Sequence, residues 1–122
     1  MTDTIQLTFP TGASFRGVPS LVLGGVGSRL DLPFERMDDL QLAVLSMLEA
    51  CAGHEATVEI EADDEQVAVS VGPLRDGADG DQGLALVLRR LTDGVDAGRR
   101  GEDVWLTVLL TRARRSHDQP VV

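Results

Sequence analysis

Residues Asp38 to His54 read "DDLQLAVLSMLEACAGH", and the way this stretch folds decides the rest of the domain. Apolar side chains recur at Met37, Leu40, Val44, Met47, Leu48 and Cys51. Steps of three and four are the stripe of an amphipathic helix, so one face of this segment must be covered by another layer. Asp31, Leu32 and Pro33 interrupt the chain just before it, and Pro33 suits the first turn of a helix. Glu35, Asp38 and Asp39 fall in the opening turns, where carboxylates complement the helix dipole. The helix is expected to end near Gly53 and His54, with Val44, Met47, Leu48 and Cys51 facing a sheet. Helices of this kind in α/β domains often carry a working acid or amide. Here the equivalent turns carry only Ser46 and Ala50.

The flanking segments supply the sheet. Thr4 to Phe9 alternates Ile5, Leu7 and Phe9 with polar residues, the pattern of a half-buried strand, and Pro10 to Gly12 ends it. Ala56 to Ala62 and Val67 to Val71 also alternate, and "DDEQ" between them predicts a hairpin. Ala13 to Leu30 reads as a first helix with a small-residue face at Gly24, Gly25, Gly27 and Ser28. Gly72 to Asp81 is rich in Gly and Asp and reads as a loop. Gly83 to Leu91 carries Leu84, Val87, Leu88 and Leu91 on one helical face. A short strand near Gly94 to Ala97, a turn over Gly98 to Glu102 and an apolar strand from Asp103 to Thr111 complete the order. The economical solution is an α+β domain: a two-layer sandwich of a mostly antiparallel sheet with helices on one face. Residues 1–112 form one domain, and 113–122 read as a disordered, solvated tail.

Composition narrows the function. The chain has 122 residues, 43% of them hydrophobic but only 3% aromatic, so its core must be aliphatic. A single cysteine, Cys51, excludes an internal disulfide and reads as a buried structural thiol. The formal net charge is −9, no lysine occurs, and no basic stripe precedes the late cluster Arg112, Arg114 and Arg115, which argues against nucleic acid as a partner. The opening "MTDTIQLTF" lacks the pattern of a signal peptide, and no apolar stretch reaches the length of a membrane span, so a cytoplasmic location is expected.

Familiar catalytic motifs are missing. "GGVGSRL" at Gly24 to Leu30 has neither the preceding strand nor the spacing of a dinucleotide loop. Asp76, Asp79 and Asp81 fail the calcium-loop spacing, because the twelfth position from Asp76 is Val87. His54 and His117 have no ligand partners at a fixed spacing, so no metal site is expected.

The ordered set "SRLDLPFERMDDLQLAV" (Ser28 to Val44), the hairpin, "GLALVLRRLTDGV" (Gly83 to Val95) and "GEDVWLTVLL" (Gly101 to Leu110) resembles the bacterial anti-sigma factor and serine kinase family. That family has the GHKL-type, histidine-kinase-like ATPase fold. Its second helix reads D-D-x-x-x-A-V-x-E, followed four residues later by Asn. The Glu orients the attacking hydroxyl and the Asn holds the magnesium that bridges the phosphates. Matched from "DDLQLAV", the Glu position falls on Ser46 and the Asn position on Ala50. Alanine has no ligand atom for magnesium, and serine is not a competent base near neutral pH. The adenine-binding Asp of the family's D-x-G-x-G box falls at about Gly72 or Pro73. The later G-x-G box keeps Gly83 but has Ala85 as its second glycine, which leaves Gly83 and Leu84 as the candidate cofactor-binding positions.

The resemblance therefore implies a regulatory relative without ATPase or kinase activity and without a bound cofactor. It would act by binding a protein partner, a sigma factor or an antagonist of an anti-sigma factor, and would form a homodimer. One alternative is an ATP- and magnesium-dependent serine protein kinase with a divergent site, in which Asp76 would stand in for the missing Asp. Another is a dimerisation or interaction module with a different partner.

Overall fold

The computed structural model of the chain describes residues 3–11, 25 and 32–112. The expected first helix over 13–30, apart from a helical Gly25, and the expected tail over 113–122 lie outside the described residues. Five strands and two α-helices are described: β1 (Asp3–Pro10), α1 (Phe34–Glu49), β2 (Glu55–Ala62), β3 (Gln66–Leu74), α2 (Gln82–Leu91), β4 (Gly94–Arg100) and β5 (Asp103–Thr111). The sheet order is β1-β2-β3-β5-β4, and every neighbouring pair is antiparallel. The α+β class and the antiparallel sheet with helices packed on it are as the alternation and the helical stripes predict.

The β2–β3 hairpin forms where expected, pairing Ala62 with Val67, Ile60 with Val69 and Val58 with Val71. Its turn is held by the Asp63 carboxylate, which accepts the backbone N–H groups of Glu65 (2.7 Å) and Gln66 (2.8 Å). Those two donors keep the Asp63 carboxyl below its usual range. One parity of β1, β2, β3 and β5 points to the helices: Ile5, Leu7 and Phe9; Val58 and Ile60; Val67, Val69 and Val71; Val104, Leu106, Val108 and Leu110. The core is aliphatic apart from Phe9, as the low aromatic content requires.

Several boundaries differ from the sequence expectation, each for a local reason. Helix α1 stops at Glu49 and not near Gly53, because the chain turns there into main-chain pairing with the end of β3. Its face toward the sheet is Leu40, Ala43, Val44 and Met47, each almost wholly buried. Leu48 and Cys51 lie at the border of that face and are only partly buried. In α2, Leu88 is fully buried and Leu84 and Leu91 partly so, but Val87 is 43% exposed and not core. Strand β4 runs on to Arg100, so Gly98 is mid-strand and not in a turn. The uninterrupted pairing with β5, from Gly94 opposite Leu109 to Arg100 opposite Asp103, carries it that far. The turn is confined to Gly101 and Glu102, with Gly101 at φ +64°, where glycine is favoured.

Polar clasps fix the helices to the sheet. The Asp93 carboxylate accepts the Thr111 N–H (2.7 Å) and the Arg36 guanidinium, joining α1, the start of β4 and the end of β5. The buried Thr92 hydroxyl donates to the Leu88 carbonyl (2.6 Å) and closes α2.

These burials give a stability test. Met47→Ala should cost about 2–5 kcal/mol in chemical unfolding, the range for truncating a fully buried large side chain. Leu48→Ala should cost less than Met47→Ala, because Leu48 is only partly buried. Equal losses, or a larger loss at Leu48, would place the α1 core face one position further round the helix.

Candidate functional site

The positions singled out by the family resemblance surround the C-terminal end of α1. Ser46 lies on the fourth turn of the helix, and its hydroxyl donates to the Leu42 carbonyl of the preceding turn (2.9 Å). Ala50 caps the helix and is buried. The Ala50 carbonyl accepts the Arg75 N–H (2.8 Å), and the Ala52 N–H donates to the Pro73 carbonyl (3.0 Å). Cys51 and Leu74 sit between these two bonds as an antiparallel bridge. Main chain is thus clamped to main chain at the turn where the resemblance expects a metal-holding amide.

The segment that the resemblance matches to the G-x-G box is equally occupied by local structure. Asp81 caps α2, and its carboxylate accepts the Leu84 N–H (3.0 Å) and the Arg75 guanidinium (2.6 Å). These donors, the Leu84 N–H foremost, hold the Asp81 carboxyl below its usual range. Gly83 is exposed in the first turn of α2, and a Cβ there would lie 3.4 Å from the Asp81 Oδ1. The backbone donor at Leu84 and the cation at Arg75 are therefore both engaged by Asp81. Gly77, at φ +85°, leads into a short 3₁₀ turn over Ala78–Gly80, which gives the Asp-rich stretch its shape. Among the described residues, no group of three or more His, Cys, Asp or Glu side chains is placed to hold a metal ion. Burial pushes the Cys51 thiol up to about 11, so it is protonated at neutral pH and is a poor nucleophile. Among the described residues, no helix is long and apolar enough to cross a membrane.

The most organised polar structure lies on the other face of the sheet, turned away from the helices. Trp105 belongs to the parity of β5 opposite Val104 and Leu106, and its ring rests on Gly72 of β3. A Cβ added at Gly72 would lie 2.4–2.7 Å from the indole, so glycine is required for this approach. The Arg100 guanidinium sits 3.9 Å from the Trp105 ring centroid. It donates twice to Glu59, through Nη1 to Oε2 (2.7 Å) and Nη2 to Oε1 (2.9 Å). Gln6 donates to the same carboxylate (3.1 Å). Strands β1, β2, β3, β4 and β5 are linked across this face by one stack. The Arg100 hydrogen bond is the main cause of a lowered Glu59 carboxyl, and the pairing raises Arg100 in turn. Hydroxyl pairs continue the surface, Thr8 with Thr57 (2.8 Å) and Ser70 with Thr107 (2.7 Å). Beside the indole is a notch of about 150 Å³ between Asp96, Gly98, Arg100, Trp105 and Thr107.

Reading Asp103 to Thr111 as one apolar strand does not separate Trp105 from the core residues. Strict alternation across Val104, Leu106, Val108 and Leu110 is the signal that assigns Trp105 to the open face. No sequence signal joins Glu59 to Arg100, which lie 41 residues apart.

Because the chain has one tryptophan, its fluorescence reports on this stack. Gly72→Ala should displace the ring, red-shift its emission and cost about 1–3 kcal/mol, as for overpacking; an unchanged spectrum would contradict the contact. The Glu59–Arg100 pair should persist as pH falls through the ordinary carboxylate range and be lost below it. A group with a lowered folded-state pKa adds stability above its unfolded value, and that stability is lost as pH falls through the folded value. The acid change in emission should disappear in Glu59→Gln; an identical titration in that variant would assign it to another group. Set against known proteins, the chain matches no protein-family model and no curated protein.

Proposed function

We propose that this chain is a non-catalytic regulatory protein related to the GHKL-type anti-sigma kinases, acting by binding a protein partner such as a sigma factor or an anti-sigma antagonist. The observation that carries the proposal is the clamp at the end of α1. Ala50 is buried, and its carbonyl is bonded to the Arg75 N–H at the turn where the family places its magnesium-holding Asn. Ser46, at the family's Glu position, spends its hydroxyl on its own helix. Arg75, beside the former glycine box, is neutralised by Asp81. A triphosphate needs preorganised donors and cations where its charge lies, and here the nearby groups are engaged with one another.

On this reading the protein works in the cytoplasm, and its surfaces are its machinery. The sheet face with Trp105 and the exposed apolar side chains Phe34, Leu42, Leu86 and Val87 on the helices are the surfaces available for contact. An aromatic anchor within a polar rim is the usual anatomy of a protein interface.

Isothermal titration of the full chain with Mg·ATP and Mg·ADP tests the non-catalytic part. No heat of binding is expected at millimolar nucleotide. A Kd tighter than roughly 100 μM, about −5.5 kcal/mol, would favour the divergent kinase instead. Ser46→Glu combined with Ala50→Asn should not restore binding, because the adenine-binding Asp is also missing at Gly72 or Pro73 and the loop's Arg75 and Leu84 N–H stay engaged by Asp81. Restored binding would show that the two side chains alone account for the loss.

A further inference from the structure

We propose that the outer edge of β4 is a strand-addition site for an extended segment of a partner protein carrying a lysine or arginine opposite Gly98. The proposal rests on the protein-binding function above and names the place and chemistry of one contact. Among the described residues β4 is the last strand of the sheet, so the outward half of its N–H and C=O groups has no strand partner there. It runs from Gly94 to Arg100 with no bulge and no proline, so its edge is regular enough to template another strand.

The chemistry comes from the row of side chains on the open face. Asp96, Gly98 and Arg100 share that face, with Gly98 opposite Trp105 and Asp96 opposite Thr107. A Cβ at Gly98 would meet nothing within 4 Å, and the notch of about 150 Å³ opens over this position. A residue added opposite Gly98 projects its side chain on the same face, between Asp96 and Arg100 as its diagonal neighbours. The Arg100 charge is already met by Glu59 in a bidentate pair. Asp96 is exposed and has no partner among the described residues. The net local pull is therefore on a cation. A lysine or arginine stem can lie across Gly98 against the edge of the indole while its head group reaches Asp96. The opposite edge, β1, lacks such a gap: Gln6 is bonded to Glu59 and Thr8 to Thr57.

The test uses the ¹⁵N-labelled full chain and two acetylated, amidated heptapeptides of alternating threonine and valine, one with a central lysine and one with a central glutamate. The lysine peptide should shift the amide resonances of Gly94 to Arg100 with a Kd of roughly 0.1–1 mM. The glutamate peptide should bind about five-fold more weakly, the effect of one exposed charge pair. Asp96→Asn should abolish that difference. Gly98→Leu should abolish binding of both peptides while leaving the remaining resonances in place. Absence of shifts at several millimolar peptide, equal binding of the two peptides by the unaltered chain, or shifts confined to β1 would overturn the proposal. So would β4 shifts that depend on protein concentration alone, which would assign the edge to a second copy of the chain. Peptide silence together with nucleotide silence would remove this site and leave the protein-binding reading standing, whereas binding of Mg·ATP would remove that reading itself.

Discussion

The structure depends on the seating of α1 across the middle of the sheet. Leu40, Ala43, Val44 and Met47 bury against strands whose inward residues are almost all valine, leucine or isoleucine. Burying each large aliphatic side chain contributes about 1.5–3 kcal/mol, and with aromatics at 3% the core draws on such aliphatic area. The seating also places the end of the helix against the end of β3. The chain then continues as paired main chain, Ala50 to Ala52 against Pro73 to Arg75, before it enters β2. The feature that completes the fold thus also fixes the turn at Ala50 through main-chain bonds.

The two faces of the sheet divide the work. The helix face is aliphatic and supplies stability. The open face is polar, and its order comes from one stack: Gly72 beneath Trp105, Arg100 against the ring, and Glu59 holding Arg100 in place. An exposed ion pair alone adds little to stability. This one is reinforced by two parallel hydrogen bonds and an aromatic surface, so it gives the face a defined shape. A defined surface with a glycine gap at its edge is suited to recognising another chain.

Much of this was legible in the sequence, and the parts that were not share a cause. Period-two alternation marks β1, β2 and β3, a continuous apolar run marks β5, and period-3.6 stripes mark α1 and α2, because each reports burial. Boundaries set by long-range pairing were not legible. The early end of α1 depends on Pro73 and Arg75, and the length of β4 depends on β5. Val87 fits the stripe of α2 yet is exposed, since periodicity gives a helix face but not how far a neighbour covers it. Ser46 and Ala50 could be singled out by position in the sequence, but their surroundings could not. The Glu59–Arg100–Trp105 stack was missed because it joins three strands through side chains on the face that hydrophobic patterning leaves uninterpreted.

The central claim is that main-chain pairing fixes the turn at the end of α1 independently of any nucleotide. Amide hydrogen exchange at Ala52 and Arg75, the two donors of that pairing, tests it most directly. Both amides should exchange slowly, and their rates should be unchanged by saturating Mg·ATP. Rapid exchange at both, or protection that appears only when nucleotide is added, would contradict the account.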